Sequence, residues 1–128
     1  MKKKLLYTYT VTGNPTTKKN SQQILYNRAT GRRFVSSSKQ YKDFEGRVKK
    51  QVKPEHEPID YPIEMKCLFY MKTKRRCDLT NLLEAIDDAF VRAGVLEDDN
   101  FNIIVSHDGS RVLYDKENPR TEIYIYEE

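Results

Sequence analysis

Lys74-Arg75-Arg76-Cys77-Asp78-Leu79-Thr80-Asn81-Leu82-Leu83-Glu84-Ala85-Ile86-Asp87-Asp88-Ala89-Phe90-Val91-Arg92-Ala93-Gly94-Val95-Leu96-Glu97-Asp98-Asp99-Asn100 is the stretch on which the fold turns. Leu82, Leu83, Ile86, Ala89, Phe90 and Ala93 recur every three to four residues, the period of a helix with one apolar face. Asp78 or Thr80 suits the N-cap, Glu84 and Asp87 favour the early turns, and Arg92 suits the last turn. Gly94 fits the left-handed residue that ends a helix. The spacing therefore predicts a helix over 80–93, preceded by a basic cluster and followed by an acidic turn.

Such a helix is ~21 Å long. The six steps from Ala93 to Asp99 span at most ~20 Å when extended. Asp98 and Asp99 therefore reach Asp78 only if Val95 to Asp99 runs back along the helix. Two carboxylates ~4 Å apart repel by about 4 kcal/mol at an effective dielectric of ~20, so three that meet need a cation. Carboxylates with water suit Mg²⁺ or Mn²⁺, and such an ion can activate water and stabilise a leaving oxygen in phosphodiester hydrolysis. The alternative is simpler: Asp78 is a helix cap and Glu97-Asp98-Asp99-Asn100 a solvated turn.

Arg75-Arg76, Asp78-Leu79-Thr80-Asn81-Leu82, Gly94 and Asp98-Asp99 together resemble the core of the RusA family of Holliday-junction resolvases. The family pattern is a basic run, Asp-Leu-Asp-Asn-Leu opening a helix, a glycine and a paired Asp-Asp. The resemblance is strongest over residues 74–104. It implies catalytic positions at Asp78, Thr80 and Asp99, with Asp98 beside the last, and Mg²⁺ (Mn²⁺ as substitute) held by Asp78, Asp98 and Asp99. Asp88 matches a recurring acidic position seven residues after Asn81, on nearly the same helical face, and both are expected to support the ligands. Two positions depart from the pattern. Thr80 stands where an aspartate is usual, and Glu84 where a catalytic lysine stands in the best-known member. Threonine can hold a water but brings no charge. The resemblance further implies a homodimer acting on four-way DNA junctions and a bacterial, phage or prophage setting.

The 128 residues are expected to form one domain, 1–128, with a modest core. Only 38% are hydrophobic and 33% are charged, so the surface is heavily charged. No apolar run is long enough to span a membrane, and the basic start lacks an apolar signal core, which predicts a cytoplasmic protein. Cys67 and Cys77 fit a reducing compartment, and with His56 and His107 they lack regular zinc spacing. Residues 1–53 carry 14 lysines and arginines against 2 acidic residues; residues 54–128 carry 9 against 17. A basic half joined to an acidic half fits a protein that grips a polyanion and loads divalent cations.

Along the chain, 4–12 reads as a strand ended by Gly13-Asn14-Pro15. The loop that follows carries Lys18 and Lys19, hydroxyls and amides suited to phosphate contacts. Residues 22–26 and 33–36 predict a hairpin whose tip presents Arg28, Arg32 and Arg33 to phosphates, with Tyr26 and Phe34 as core rings. Tyr41, Phe44, Val48 and Val52 mark a helix over 38–53, stopped by Pro54. Residues 59–70 alternate as the central strand. Asn102 to His107 and Arg111 to Tyr114 read as strands or a hairpin through Asp108-Gly109, and 120–127 as the last strand. His56 is expected at the surface. His107 reads as a strand-end polar residue, the approach to the metal site being the alternative.

The predicted class is α/β (α+β): a single-domain sandwich with a mixed or antiparallel sheet and two main helices on one side. The expected activity is metal-dependent endodeoxyribonuclease cleavage of branched DNA, with Lys74, Arg75 and Arg76 joining the basic loop and hairpin in holding backbone phosphates. The alternative, motivated by Thr80 and Glu84, is a junction-binding protein of the same fold with weakened or lost catalysis.

Overall fold

A computed structural model describes residues 3–17, 22–37 and 39–128. Strand β1 (Leu5–Thr12) precedes a hairpin of β2 (Gln22–Asn27) and β3 (Arg32–Ser37), then helix α1 (Lys39–Gln51), β4 (Ile63–Met71), helix α2 (Leu79–Arg92), β5 (Ile104–Ser106), β6 (Arg111–Tyr114) and β7 (Arg120–Glu127). One mixed sheet holds β1, β7 and β4 as antiparallel neighbours, with β5 and β6 both parallel to β4. The β2–β3 hairpin forms a separate two-stranded sheet. The mixed sheet with two helices is the α+β class that the periodicities predict.

Alternation decides which face is buried. Ile63, Met65, Cys67, Phe69 and Met71 of β4, Ile123 and Ile125 of β7 and Val11 of β1 form one core with the helices. Helix α1 contributes Tyr41, Phe44 and Val48, and α2 contributes Leu82, Ala85, Ile86, Ala89 and Phe90. The other face is half-buried and mixed. Lys66 Nζ lies 4.8 Å from the Tyr124 ring centroid, and the Arg120 guanidinium 3.8 Å from that of Tyr70. Cations over ring faces keep that surface charged while covering its apolar area. Among the described residues no helix is long and apolar enough to cross a membrane.

Two sequence expectations change. Strand β4 begins at Ile63 rather than Ile59, and Ile59 makes a lone bridge to Leu96. Pro58 and Pro62 frame that segment, and a proline donates no ladder bond. Nor do the strands flanking Asp108-Gly109 form a hairpin. The turn closes tightly, with Ser110 N donating to His107 O at 3.0 Å, and it steps the chain along the edge of β4. Strand β5 pairs beside Ile63 and Glu64, β6 beside Leu68 to Met71. Between them side chains complete the ladder. His107 Nδ1 meets Met65 O at 2.8 Å, and Cys67 N donates to Ser110 Oγ at 3.0 Å. Without β5, β6 and these two side chains the edge of β4 would leave backbone groups unpaired, and buried groups of that kind are costly to leave unmade.

Helix α2 ends as its glycine predicts. Val95 N donates to Phe90 O at 3.0 Å and Gly94 N to Val91 O at 3.1 Å, with Gly94 at φ +84. This 6→1 and 5→2 pair is a Schellman closure. A Cβ at Gly94 meets nothing nearer than Pro54 Cγ at 4.0 Å, so only backbone strain opposes a side chain there. Gly94→Ala is therefore expected to lower stability by about 1 kcal/mol, read as a shift in the urea midpoint at unchanged slope.

Candidate active site

Asp78 occupies the N-cap position of α2, with φ −99 and ψ 128, yet its side chain accepts no capping hydrogen bond from the backbone. Its Oδ2 accepts instead from Asn81 Nδ2 at 3.2 Å. The carboxylate is exposed, so it stands open to solvent at the start of the helix. Thr80 and Glu84 are exposed in the first two turns, and Asn81 is half-buried.

The acidic turn is built from the other end. Ile59 N donates to Val95 O at 2.9 Å and Glu97 N to Ile59 O at 3.0 Å, which pins the chain just after the helix. Asp98 then folds the turn on itself. Its Oδ1 accepts from Asp99 N at 2.7 Å and its Oδ2 from Asn100 Nδ2 at 3.2 Å. Burial raises the Asp99 carboxyl above the ordinary aspartate value, and the hydrogen bond and charge of Asp98 and the charge of Asp88 add to this. Asp88 lies ten residues after Asp78, about 15 Å along the helix axis. Asp99 thus shares an electrostatic field with Asp98 and the half-buried Asp88, and Asp78 with Asn81 stands at the N-terminal end of α2. Among the described residues no group of three or more His, Cys, Asp or Glu side chains converges into a metal-holding set.

The chemistry of the donors nonetheless suits a hard divalent cation. Asp78, Asp98 and Asp99 are exposed carboxylates with no cationic side chain paired to them among the described residues. Burial first, then the hydrogen bond and charge of Asp98 and the charge of Asp88, hold the Asp99 carboxyl above the ordinary range. Oxygen donors in a field short of positive charge are what a hard divalent cation relieves.

Beside this turn lies a pair that periodicity did not reveal. His107 Nε2 is 2.8 Å from Asp87 Oδ2, and Asp87 Oδ1 is buried with no hydrogen-bond partner. Because His107 Nδ1 faces a carbonyl oxygen, that nitrogen must carry a proton and donate it. A second proton must then lie between Nε2 and the carboxylate. Burial works against the imidazolium, but the hydrogen bond and charge of Asp87 outweigh it, and the His107 pKa is raised. Burial also raises Asp87, against the pull of His107. Only one proton fits between the two groups, and the hydrogen bond from Nδ1–H to Met65 O favours the imidazolium, so the His107 direction governs the pair. Asp87 flanks the apolar stripe of α2, and a carboxylate at that edge needs a partner. That was the available sign in the sequence; which residue answers it was not legible.

The basic residues take several positions. Lys74, Arg75 and Arg76 lie on the exposed connector from β4 to α2, immediately before Asp78. Lys74 Nζ sits 5.2 Å from the Tyr114 ring centroid. Arg28, Arg32 and Arg33 are exposed around the hairpin turn, which Asn27 Oδ1 closes by accepting from Ala29 N at 2.9 Å and Thr30 N at 3.3 Å. Lys18 and Lys19 lie outside the described residues, as do the side chains of Tyr26 and Phe34. Cys67 is buried as a strand hydrophobe. Cys77 is half-buried, its thiol raised by burial and by the charge of Asp78. His56 stacks on Tyr7 with ring centroids 4.1 Å apart and meets the Tyr9 hydroxyl at 3.0 Å.

A family model described as endodeoxyribonuclease RusA matches residues 10–126. No curated protein matches the chain. The matched span takes in β1 through β7, the connector with its basic cluster, and both the Asp78 and Asp98–Asp99 ends of α2, and on that match the chain belongs to the RusA family of endodeoxyribonucleases.

Proposed function

We propose that this chain is a divalent-metal-dependent endodeoxyribonuclease that resolves branched DNA, four-way junctions above all. The observation that carries the reading is the state of Asp78: an exposed carboxylate at a helix start, directly after Lys74-Arg75-Arg76, and not engaged in capping. Asp78, Asp98 and Asp99 would hold the cation. An ion bound there supplies Lewis-acid stabilisation of the charge that builds on the phosphoryl oxygens. Lys74, Arg75 and Arg76 hold the backbone phosphates next to it, and Arg28, Arg32 and Arg33 extend the grip along the arm, together with Lys18 and Lys19. Thr80 positions water through its hydroxyl without adding charge. Asn81 orients Asp78 through the hydrogen bond already formed, and Asp88 adds negative field at Asp99. Cutting two opposed strands calls for two sites, which a symmetric dimer provides.

A second reading rests on one observation. Among the described residues Asp78 and Asp98–Asp99 do not converge into one metal-holding set, and Thr80 brings no charge. This favours a junction-binding protein with weakened catalysis. Cleavage of a labelled four-way junction and its matching linear duplex separates the two, run with Mg²⁺, Mn²⁺ or EDTA. The nuclease reading expects paired, metal-dependent nicks at the crossover. It also expects Asp99→Asn to lose activity by on the order of 100-fold or more while junction binding at low salt is kept. Tight junction binding by the wild type with no cut in either metal supports the second reading.

A further inference from the structure

A cleft of about 960 Å³ opens between the 14–17 loop, one side of α1 and the connector that carries the basic cluster. Three arginines line it, Arg47, Arg75 and Arg76, against one carboxylate, Asp43. Its walls are fixed by hydrogen bonds. Lys72 N donates to Asn14 Oδ1 at 2.8 Å, tying loop to connector, and Arg47 Nη2 donates to Asn14 O at 3.3 Å, tying loop to α1. The Arg47 guanidinium packs 5.5 Å from the Phe44 ring centroid and so closely on Gly13, at φ +96, that a Cβ there would overlap it.

Two arginines and one lysine outside this cleft are neutralised by carboxylates. Arg92 pairs with Glu45, Arg120 with Asp115 and Glu122, and Lys3 with Glu64 and Glu128. Arg47, Arg75 and Arg76 have no carboxylate partner among the described residues, and the Nε of Arg47 is buried without a hydrogen bond. A guanidinium held by packing and one carbonyl has no carboxylate to neutralise it, and its planar terminal nitrogens suit a phosphate. Threonine hydroxyls at Thr16 and Thr73 add neutral polar groups along the wall.

We propose that this cleft seats the phosphodiester backbone of an unpaired DNA strand, with Arg47 anchoring a phosphate across from Arg75 and Arg76. The inference rests on the branched-DNA reading and names where a strand that has left its duplex would run. A space of about 960 Å³ takes the backbone of one strand, whereas a duplex, wider than its own ~12 Å major groove, would rest on the rim. The strand would lead directly to Asp78, the residue after the Cys77 wall.

Cys77 gives the test, because it lines the cleft while Cys67 is buried. The full chain in EDTA is alkylated with iodoacetamide at mildly alkaline pH, alone, with a short oligothymidylate, or with a blunt duplex. The oligothymidylate is expected to slow Cys77 alkylation about 5-fold or more, and the duplex to leave it nearly unchanged. Arg47→Gln should weaken oligothymidylate binding about 10-fold, lower the salt slope by about 0.7, and abolish the protection. Arg75→Gln, on the exposed opposite wall, should weaken protection in the same way and serves if Arg47→Gln does not fold. Equal protection by duplex, or no protection at saturating oligothymidylate, overturns the inference. Metal-dependent junction cleavage without protection overturns it while leaving the nuclease reading intact, and absence of any DNA binding overturns both.

Discussion

Replacing His107 with alanine is expected to lower stability by about 3 kcal/mol. The imidazole is the one hydrogen-bonding partner of Asp87 Oδ2 among the described residues, and it also completes the ladder at Met65 O. Its removal leaves a carboxylate that already has one buried oxygen unpaired. Breaking a buried charge pair from one side costs about 3–5 kcal/mol, and the lower end applies because the side chains are 21% and 13% exposed. Equilibrium urea unfolding measures it, and a loss below about 1 kcal/mol would show that the pair is not ionised. The pH dependence follows with a definite sign. The folded His107 pKa lies above its unfolded value of about 6.5, so its contribution is full below that pH and is lost as pH rises through the folded value. Wild-type stability should therefore decline from about pH 6.5 upward relative to His107→Ala, and a rising difference would contradict the protonated pair.

Phe90→Ala is the second large effect, about 4 kcal/mol. The ring is fully buried and meets Tyr9 edge-on, with centroids 5.6 Å apart at 89°. It is where α2 grips β1, and its carbonyl receives both Val95 N and Leu96 N. Losing the ring removes buried area and leaves a cavity in an interior packed at crystal-like density. Total stability for a domain is about 5–15 kcal/mol, so this one change removes a large share of it. Thermal unfolding monitored by far-UV circular dichroism is the check. Phe101→Ala is the matched control. That ring is 79% exposed and its loss should change stability by less than about 0.5 kcal/mol. Equal effects at 90 and 101 would mean that the helix–sheet contact is not as close as the structure has it.

Both predictions depend on residues that the sequence displays very differently. Phe90 belongs to a stripe that is visible as a period, and the helix predicted over 80–93 forms over Leu79–Arg92 with its closure at Gly94. Helix α1, the alternation of β4 and the span of β7 were legible for the same reason. Local periodicity reports which face of an element meets the core, and that face is set by neighbours three or four residues away in a helix and two in a strand. His107 carries no such sign. Its partner Asp87 lies 20 residues earlier, and what joins them is the parallel placement of β5 and β6 on the edge of β4. The Asp108-Gly109 turn was readable as a turn, but a turn does not specify whether its flanks pair with each other or with a third strand. Arg47 is the same case, since its contact with Asn14 spans 33 residues.

The sequence by itself determined the elements, the buried face of each, the family, and the candidate carboxylates at Asp78, Asp98 and Asp99, because all of these rest on residue type at short spacing. Only the tertiary structure decided the direction of β5 and β6, the pairing of His107 with Asp87 and the cleft around Arg47. It also decided that Asp99 shares a field with Asp98 and Asp88 and that Asp78 stands at the N-cap without a capping hydrogen bond. Those outcomes depend on strand order and on which backbone groups remained unsatisfied along β4, and such long-range choices leave no periodic trace in the chain.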